Sequence, residues 1–174
     1  MTHIMVDLET LSTNNNAAIL AIGAVKFSNE DKAYDKFYKV VKTPPEVEGF
    51  HISSDTLDWW SKQSEEARRV FEDPTAAPIE EALVSFATWA LNGTNKKDIR
   101  LWGNGASFDN VILSSAYQLC NLSQPWIYWN DRCYRTMKNL NRTVGLTRIG
   151  THHNAVHDAE SQAVHLLAME IPLA

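Results

Sequence analysis

Residues 4–9 read Ile4-Met5-Val6-Asp7-Leu8-Glu9, and residues 19–27 read Ile19-Leu20-Ala21-Ile22-Gly23-Ala24-Val25-Lys26-Phe27. The first is an apolar run that breaks into an acid-x-acid pair. The second is longer and almost wholly apolar. Both read as strands, and Gly23 marks a bulge or a close backbone approach. Side chains on a strand alternate, so Asp7 and Glu9 share one face. Two carboxylates side by side are costly to ionise together unless a cation neutralises them. Mg²⁺ or Mn²⁺ suits such oxygen ligands. Taken alone, the pair also reads as a solvated strand end.

Outward from this core, the polar stretch Ser12 to Asn16 is a loop. Tyr34, Phe37 and Tyr38 to Val41 predict a third strand, ended by Pro44-Pro45. The middle is helical: Ser54 caps one start, and Ser64-Glu65-Glu66 opens another. Pro78, at a first helical position, precedes Ile79, Leu83, Phe86 and Ala90 at 3.6-residue spacing, and Asn92-Gly93 closes that helix. Ile99 to Trp102 is a fourth strand. Ser107 then caps a helix with Phe108, Val111, Ile112 and Leu119 on its apolar side. A fifth strand is expected at Ile127 to Trp129, a helix over Asp131 to Asn141, and a last helix from about Ala155 to Met169. This order predicts an α/β fold, one sheet with helices packed against it, as a single domain over 1–174.

The chain has 174 residues, enough for a sizeable core without disulfides or structural zinc. Its net charge of −5, from 16 Lys and Arg against 21 Asp and Glu, argues against a surface coated in positive charge. A local basic patch with metal ions could still hold nucleic acid. Cys120 and Cys133 form no CxxC pair, which fits a reducing compartment. No apolar run is long enough to span a bilayer and no leader pattern opens the chain, so no membrane association and a cytoplasmic location are expected.

Two further motifs open helices. Asn104-Gly105-Ala106-Ser107-Phe108-Asp109 follows the fourth strand. It begins like a dinucleotide-binding loop, but Phe108 stands where the third glycine belongs. His153-Asn154-Ala155-Val156-His157-Asp158 precedes the last apolar helix. Each is also a plain capped helix start with a favourable charge. Their order after the acid pair is what lifts them above that reading.

Acid-x-acid, then Asn-x-x-x-Phe-Asp, then His-x-x-x-x-Asp resembles the three motifs of the DEDDh, or DnaQ-like, 3′–5′ exonucleases, which share the ribonuclease H-like fold. The resemblance runs from Ile4 to Leu167 and includes Ala21-Ile22-Gly23-Ala24-Val25. The segment with Trp59-Trp60 looks most like small phage and bacterial members of the exodeoxyribonuclease VIII-like and mycobacterial exoribonuclease types. Asn154 stands where the tyrosine branch of the family has Tyr, so the histidine branch is favoured.

Carried over, the resemblance makes Asp7, Glu9, Asp109 and Asp158 the carboxylates of a site for two Mg²⁺ or Mn²⁺ ions, with Asp7 shared between them. His153 becomes the general base that takes a proton from the attacking water, its pKa raised by the carboxylates in the metal-free protein. Leu8, Thr10, Asn104 and Phe108 fall on the substrate side. The expected activity is hydrolysis of single-stranded DNA or RNA from its 3′ end, releasing nucleoside monophosphates, and the resemblance also allows a homodimer. Thr10 is kept, but the glycine that often follows it is not, and Ala21 replaces a frequent Glu.

Arg132, Arg135, Lys138, Arg142 and Arg148 form a basic cluster. On a helix, Arg135, Lys138 and Arg142 share a narrow arc, which suits a phosphate backbone and equally a solvated face. Among the aromatics, Trp59, Trp60, Trp102, Trp126 and Trp129 are candidates for base stacking or for the core. His3, His51, His152 and His165 are read as structural. The competing functions are a catalytically silent nucleic-acid-binding module and an oligomeric structural component. Metal-dependent release of mononucleotides separates the enzyme from both.

Overall fold

The computed structural model describes residues 1–173. Strands β1 (Thr2–Thr10), β2 (Ile19–Ser28) and β3 (Lys32–Val40) come first, followed by helices α1 (Ser54–Ser61), α2 (Glu65–Arg68) and α3 (Ile79–Leu91). Strand β4 (Ile99–Gly103), helix α4 (Asp109–Leu119), strand β5 (Asp131–Cys133), and helices α5 (Tyr134–Leu140) and α6 (Ala155–Ala168) complete it. The sheet order is β3-β2-β1-β4-β5. β1–β2 and β2–β3 are antiparallel, whereas β1–β4 and β4–β5 are parallel. The chain thus builds outward on both sides of β1. In open α/β sheets a crevice forms at such a point, beyond the carboxyl ends of the strands.

Burial follows the sequence pattern. β2 is buried from Ile19 to Phe27, because helices cover both faces. β3 alternates, and Lys32, Lys36 and Lys39 line its outer edge, which blunts it against pairing. On one face of β1, Ile4, Val6 and Leu8 pack with Leu83 and Phe86 of α3 and Ile112 and Leu113 of α4. On the other, Met5 packs with Val25 and with Ala159 and Ala163 of α6. The period of two therefore sends Asp7 and Glu9 to the α6 face.

Several elements depart from expectation. β1 runs on to Thr10, with a register shift between Glu9 and Thr10. The fifth strand is Asp131–Cys133, and Tyr128–Asn130 is a 3₁₀ turn. The reason is local: the Asp131 carboxylate accepts from Trp126 Nε1 and Asn110 Nδ2, both at 2.8 Å, and anchors the chain beside β4 only from that residue on. The helix expected from Asp131 starts at Tyr134 and ends at Leu140. Neither Ser54 nor Ser107 caps its helix; Ser53 and Phe108 hold the cap positions without side-chain bonds. Pro78 likewise sits at the cap, one residue earlier than expected. Ser64 does cap, its side chain accepting from Ala67 N–H.

Candidate active site

The parallel ladder between β1 and β4 ends at Met5–Trp102, while β1 continues against β2 to Thr10. Asp109 occupies the gap. Its Oδ1 accepts from Leu8 N–H at 3.2 Å and its Oδ2 from Asn104 N–H at 2.9 Å. A carboxylate thus stands in for the missing strand and is aimed by two backbone amides. Gly103 makes room: a Cβ there would lie 2.3 Å from Asn110 Oδ1 and 3.0 Å from Asp109 Cβ.

α6 delivers the third motif. Gly23, paired with Asp7 across β1–β2, has no side chain, and the backbone of Ala155 rests on it. A Cβ at Gly23 would lie 2.1 Å from Ala155 C. This close approach sets Asp158, in the first turn of α6, above Asp7. One turn on, Gln162 donates from Nε2 to Asp7 Oδ1 at 2.8 Å. Asn154 caps α6 by accepting from His157 N–H. His153 sits in the left-handed region at φ 61°, a conformation non-glycine residues adopt at a cost. Its N–H donates to Asp158 Oδ2 at 2.8 Å, and Arg148 Nη1 donates to Asp158 Oδ1 at 2.8 Å.

The carboxylate oxygens of Asp7, Glu9 and Asp158 lie within 4.8 Å of one another. Burial raises the Asp7 pKa well above the usual carboxylate range, and Asp109, Glu9 and Asp158 raise it further. Burial pushes Glu9 up to about 8, helped by Asp158 and Asp109. Asp109 is raised to about 6 by burial, against the opposing pull of its amide donors and Arg135. A cluster of buried oxygen donors that resists ionising together is chemistry suited to hard divalent cations. The residues present fit Mg²⁺ or Mn²⁺.

His153 stands over this cluster with its ring against helix α1. Its centroid is 5.0 Å from that of Trp59 and 6.3 Å from that of Trp60, both edge-on, and 3.8 Å from His152. The sequence led to an expectation of a raised pKa; the structure lowers it. Burial comes first, then the neighbouring His152, and together with Arg148 they outweigh Asp158. The ring is therefore neutral at pH 7 and has a lone pair to offer.

A cleft of about 320 Å³ is lined by all five of these residues and by Leu8, Asn104, Phe108, Arg135, Lys138, Arg148 and Gln162. A second hollow of about 480 Å³ adjoins it, lined by Leu8, Glu9, Thr10, Ser53, Thr56, Trp59 and Phe108 among others. Thr10 Oγ1 donates to Ser12 carbonyl O at 2.7 Å, so its hydroxyl shapes the turn after β1. Arg135 is held by Asn104, whose carbonyl O accepts from Nη2 at 2.6 Å. Arg142 is a correction. α5 ends before it, its Nε donates back to Asn139 carbonyl O at 3.2 Å, and it does not line the cleft. The shared arc with Arg135 and Lys138 depended on a helix that stops two residues short.

The remaining aromatic and histidine residues divide by burial. Trp60 is buried and donates to Thr10 carbonyl O at 2.9 Å, whereas Trp59 is half-exposed beside the second hollow. Trp102 and Trp126 are buried, and Trp129 is exposed. His3, buried and held down to about 4, accepts from Trp102 Nε1. His165 bridges Tyr134 Oη and Val144 carbonyl O. His157 accepts from Thr151 N–H through Nδ1, a role internal to the loop. Gln162 and Arg148 are among the cleft residues that escaped the motif reading, as are Tyr134, Leu146, Ser161 and His152, the last expected to be only structural. Gln162 lies four residues after Asp158, on the same helix face, and that spacing was the available signal. Arg148 was visible only as one charge in a cluster, because its partner Asp158 is reached by a loop.

Comparison with known proteins gives one family and a consistent set of folds. A family model described as the 3'-5' exoribonuclease Rv2179c-like domain matches residues 2–169. No curated protein matches the sequence. The nuclease domain of 3'hExo, a DEDDh family member bound to rAMP, superimposes with a TM-score of 0.67 at 16% identity, covering 97% of this chain and 91% of that one. Cell-death related nuclease 4 (CRN-4) gives 0.66 at 18% identity, over 97% and 63%. E. coli Exonuclease I in complex with a dA16 oligonucleotide gives 0.61 at 15% identity, over 97% of this chain and 39% of that one. At these identities the likeness carries the fold: a mixed five-stranded α/β sheet of the ribonuclease H-like kind.

Proposed function

Because the chain belongs to the Rv2179c-like 3'-5' exoribonuclease domain family, we propose that it removes nucleotides from the 3′ end of single-stranded nucleic acid, releasing nucleoside 5′-monophosphates. The whole of residues 1–174 acts as one exonuclease domain. The observation that carries this reading is the convergence of Asp7, Glu9 and Asp158 within 4.8 Å, with Asp109 and His153 lining the same cleft.

Asp7, Glu9 and Asp158 would hold one divalent cation, and Asp7 with Asp109 a second. When bound, such a pair supplies an acidified water and neutralises charge on the phosphate and the leaving oxygen. The chain's own residues do the rest. The 3′-terminal nucleoside enters between Leu8 and Phe108, with the second hollow beside Trp59 taking the base. Arg135 and Lys138 meet the backbone phosphates at the cleft rim, where charge-assisted hydrogen bonds are the strong ones. Neutral His153 takes a proton from water as its oxygen forms a bond to phosphorus. The bond from phosphorus to the 3′ oxygen of the preceding nucleotide breaks, its electron pair stays on that oxygen, and a proton from solvent completes the 3′-hydroxyl of the shortened strand.

The acidic balance of the chain fits this arrangement, since cations and a local rim of Arg and Lys replace a basic surface. The test is a 5′-labelled strand, as RNA and as DNA, incubated with Mg²⁺ or Mn²⁺. A ladder shortening from the 3′ end is expected, absent in EDTA and in Asp7→Ala or Asp158→Ala. Strand binding without any release of mononucleotide would replace the enzyme with a silent binding module.

A further inference from the structure

Asp158 is assigned to cation binding, yet both its oxygens are engaged by the protein: Oδ1 by Arg148 Nη1 and Oδ2 by His153 N–H, each at 2.8 Å. The two contacts differ in kind. The backbone bond from His153 is built into the loop. The Arg148 bond comes from a long side chain that is 49% exposed, against 13% for Asp158. The loop backbone around Arg148 is pinned. Ile149 N–H donates to Ser161 Oγ at 2.8 Å, and Val144 carbonyl O contacts His165 Nε2 at 2.9 Å. The guanidinium can swing while its anchor stays, and it hangs over a cleft that Arg135 and Lys138 also line.

We propose that Arg148 is a substrate-binding residue that exchanges partners: it neutralises Asp158 in the metal-free protein and turns to a backbone phosphate of the strand when cations take the carboxylate. The first half rests on the cation site proposed above, and the second on the exonuclease reading. Electrostatics requires the exchange. A cation placed on Asp158 Oδ1 beside Arg148 would repel the guanidinium, while an incoming phosphate attracts it and matches its fork of donors. The planar, permanently charged head suits both partners, because carboxylate and phosphate present similar pairs of oxygens. Arg148 thus keeps the acidic cluster partly compensated before loading, and afterwards meets the strand in the cleft that Arg135 and Lys138 also line.

The two halves predict effects of opposite sign for one substitution. In Arg148→Met, which keeps the stem and removes the charge, the substrate-free protein should bind Mn²⁺ about two- to fivefold more tightly by calorimetry, since a partly exposed ion pair no longer competes. The same variant at saturating Mn²⁺ should show KM for a single strand raised about tenfold or more, with the loss greater in KM than in kcat. Arg148→Lys should keep the competition for Asp158 and recover part of KM. Unchanged or weaker Mn²⁺ binding in Arg148→Met would overturn the first half, and an unchanged KM the second. If the wild-type protein releases no nucleotide, the exonuclease reading fails while the calorimetry still reports on Arg148. In that case the strand arm is read as affinity for a labelled oligonucleotide by fluorescence anisotropy in Ca²⁺. Arg148→Met should then bind about tenfold more weakly, and equal affinity would overturn it.

Discussion

His153 and the carboxylates beneath it are tuned in opposite directions by the same burial. Loss of solvent lowers an imidazole pKa and raises a carboxylate pKa, because it disfavours whichever form is charged. For His153 the consequence is an imidazole that gives up its proton below the ordinary pKa of 6.5, which suits the base proposed for it. The rate should therefore rise with pH along a limb that lies below pH 6.5, read as kcat between pH 5 and 9 with metal saturating. His153→Ala should remove that limb and cost about 10²–10⁴-fold in kcat, the usual worth of general-base assistance. His152→Ala should be milder, and a limb left intact in His153→Ala would assign the base elsewhere. The acid pair was legible from strand alternation, and so was the order of the motifs. The direction of the His153 shift was not, because burial leads it, and the rings packed against His153, those of Trp59 and Trp60, lie about a hundred residues away in sequence.

At the scale of elements, the site depends on two glycines as much as on four acids. Gly23 lets the start of α6 lie on β2, and Gly103 lets α4 bring Asp109 to the end of β4. A Cβ at Gly23 would meet backbone, which cannot rotate away as a side chain can. Gly23→Ala should therefore push α6 off the sheet, lowering the melting temperature and weakening Mn²⁺ binding together. Overpacking of this kind typically costs about 1–3 kcal/mol. Retained metal affinity in a stable Gly23→Ala protein would show that α6 has more freedom than the contact allows. The sequence flagged Gly23 as a bulge or a close approach; the register shifts fall elsewhere, and the partner, Ala155, enters only with the tertiary fold.

The basic rim shows where periodicity misled. Helix α5 is seven residues long, ending at Leu140, so Arg142 falls outside the face it was expected to share. Arg135→Ala with Lys138→Ala should flatten the log–log salt dependence of strand binding by roughly 1.4, about 0.7 per lost single-strand phosphate contact. Arg142→Ala should leave the slope unchanged. A slope reduced by Arg142→Ala as much as by the pair would restore the longer stripe.

For the molecule as a whole, the acidic cluster makes stability depend on pH in the direction opposite to the usual carboxylate. Glu9 has its pKa raised from 4.5 to about 8 in the fold. Its folded form holds a proton that the unfolded chain releases, so its contribution is fully present below about pH 4.5 and is lost as pH rises through about 8. The metal-free protein should melt at a lower temperature at pH 9 than at pH 5. Glu9→Gln should shrink that difference, and added Mn²⁺ should reverse it by binding only the folded form. Equal pH dependence in Glu9→Gln would place the burden on Asp7 and Asp109, the other two carboxylates raised by burial. Among the described residues no helix is long and apolar enough to cross a membrane, and both cysteines are free.

Asp109 is held by the amides of Leu8 and Asn104, one from each of the strands that part company at the site. Those two N–H groups are resident spectroscopic probes. In a proton–nitrogen correlation spectrum their cross-peaks should sit downfield, as amides on a carboxylate do. They should drift together as Asp109 titrates near pH 6, and move again when the carboxylate is claimed by an ion. The occupancy of the cleft can thus be followed from backbone signals of the ¹⁵N-labelled protein alone, with no substrate or turnover.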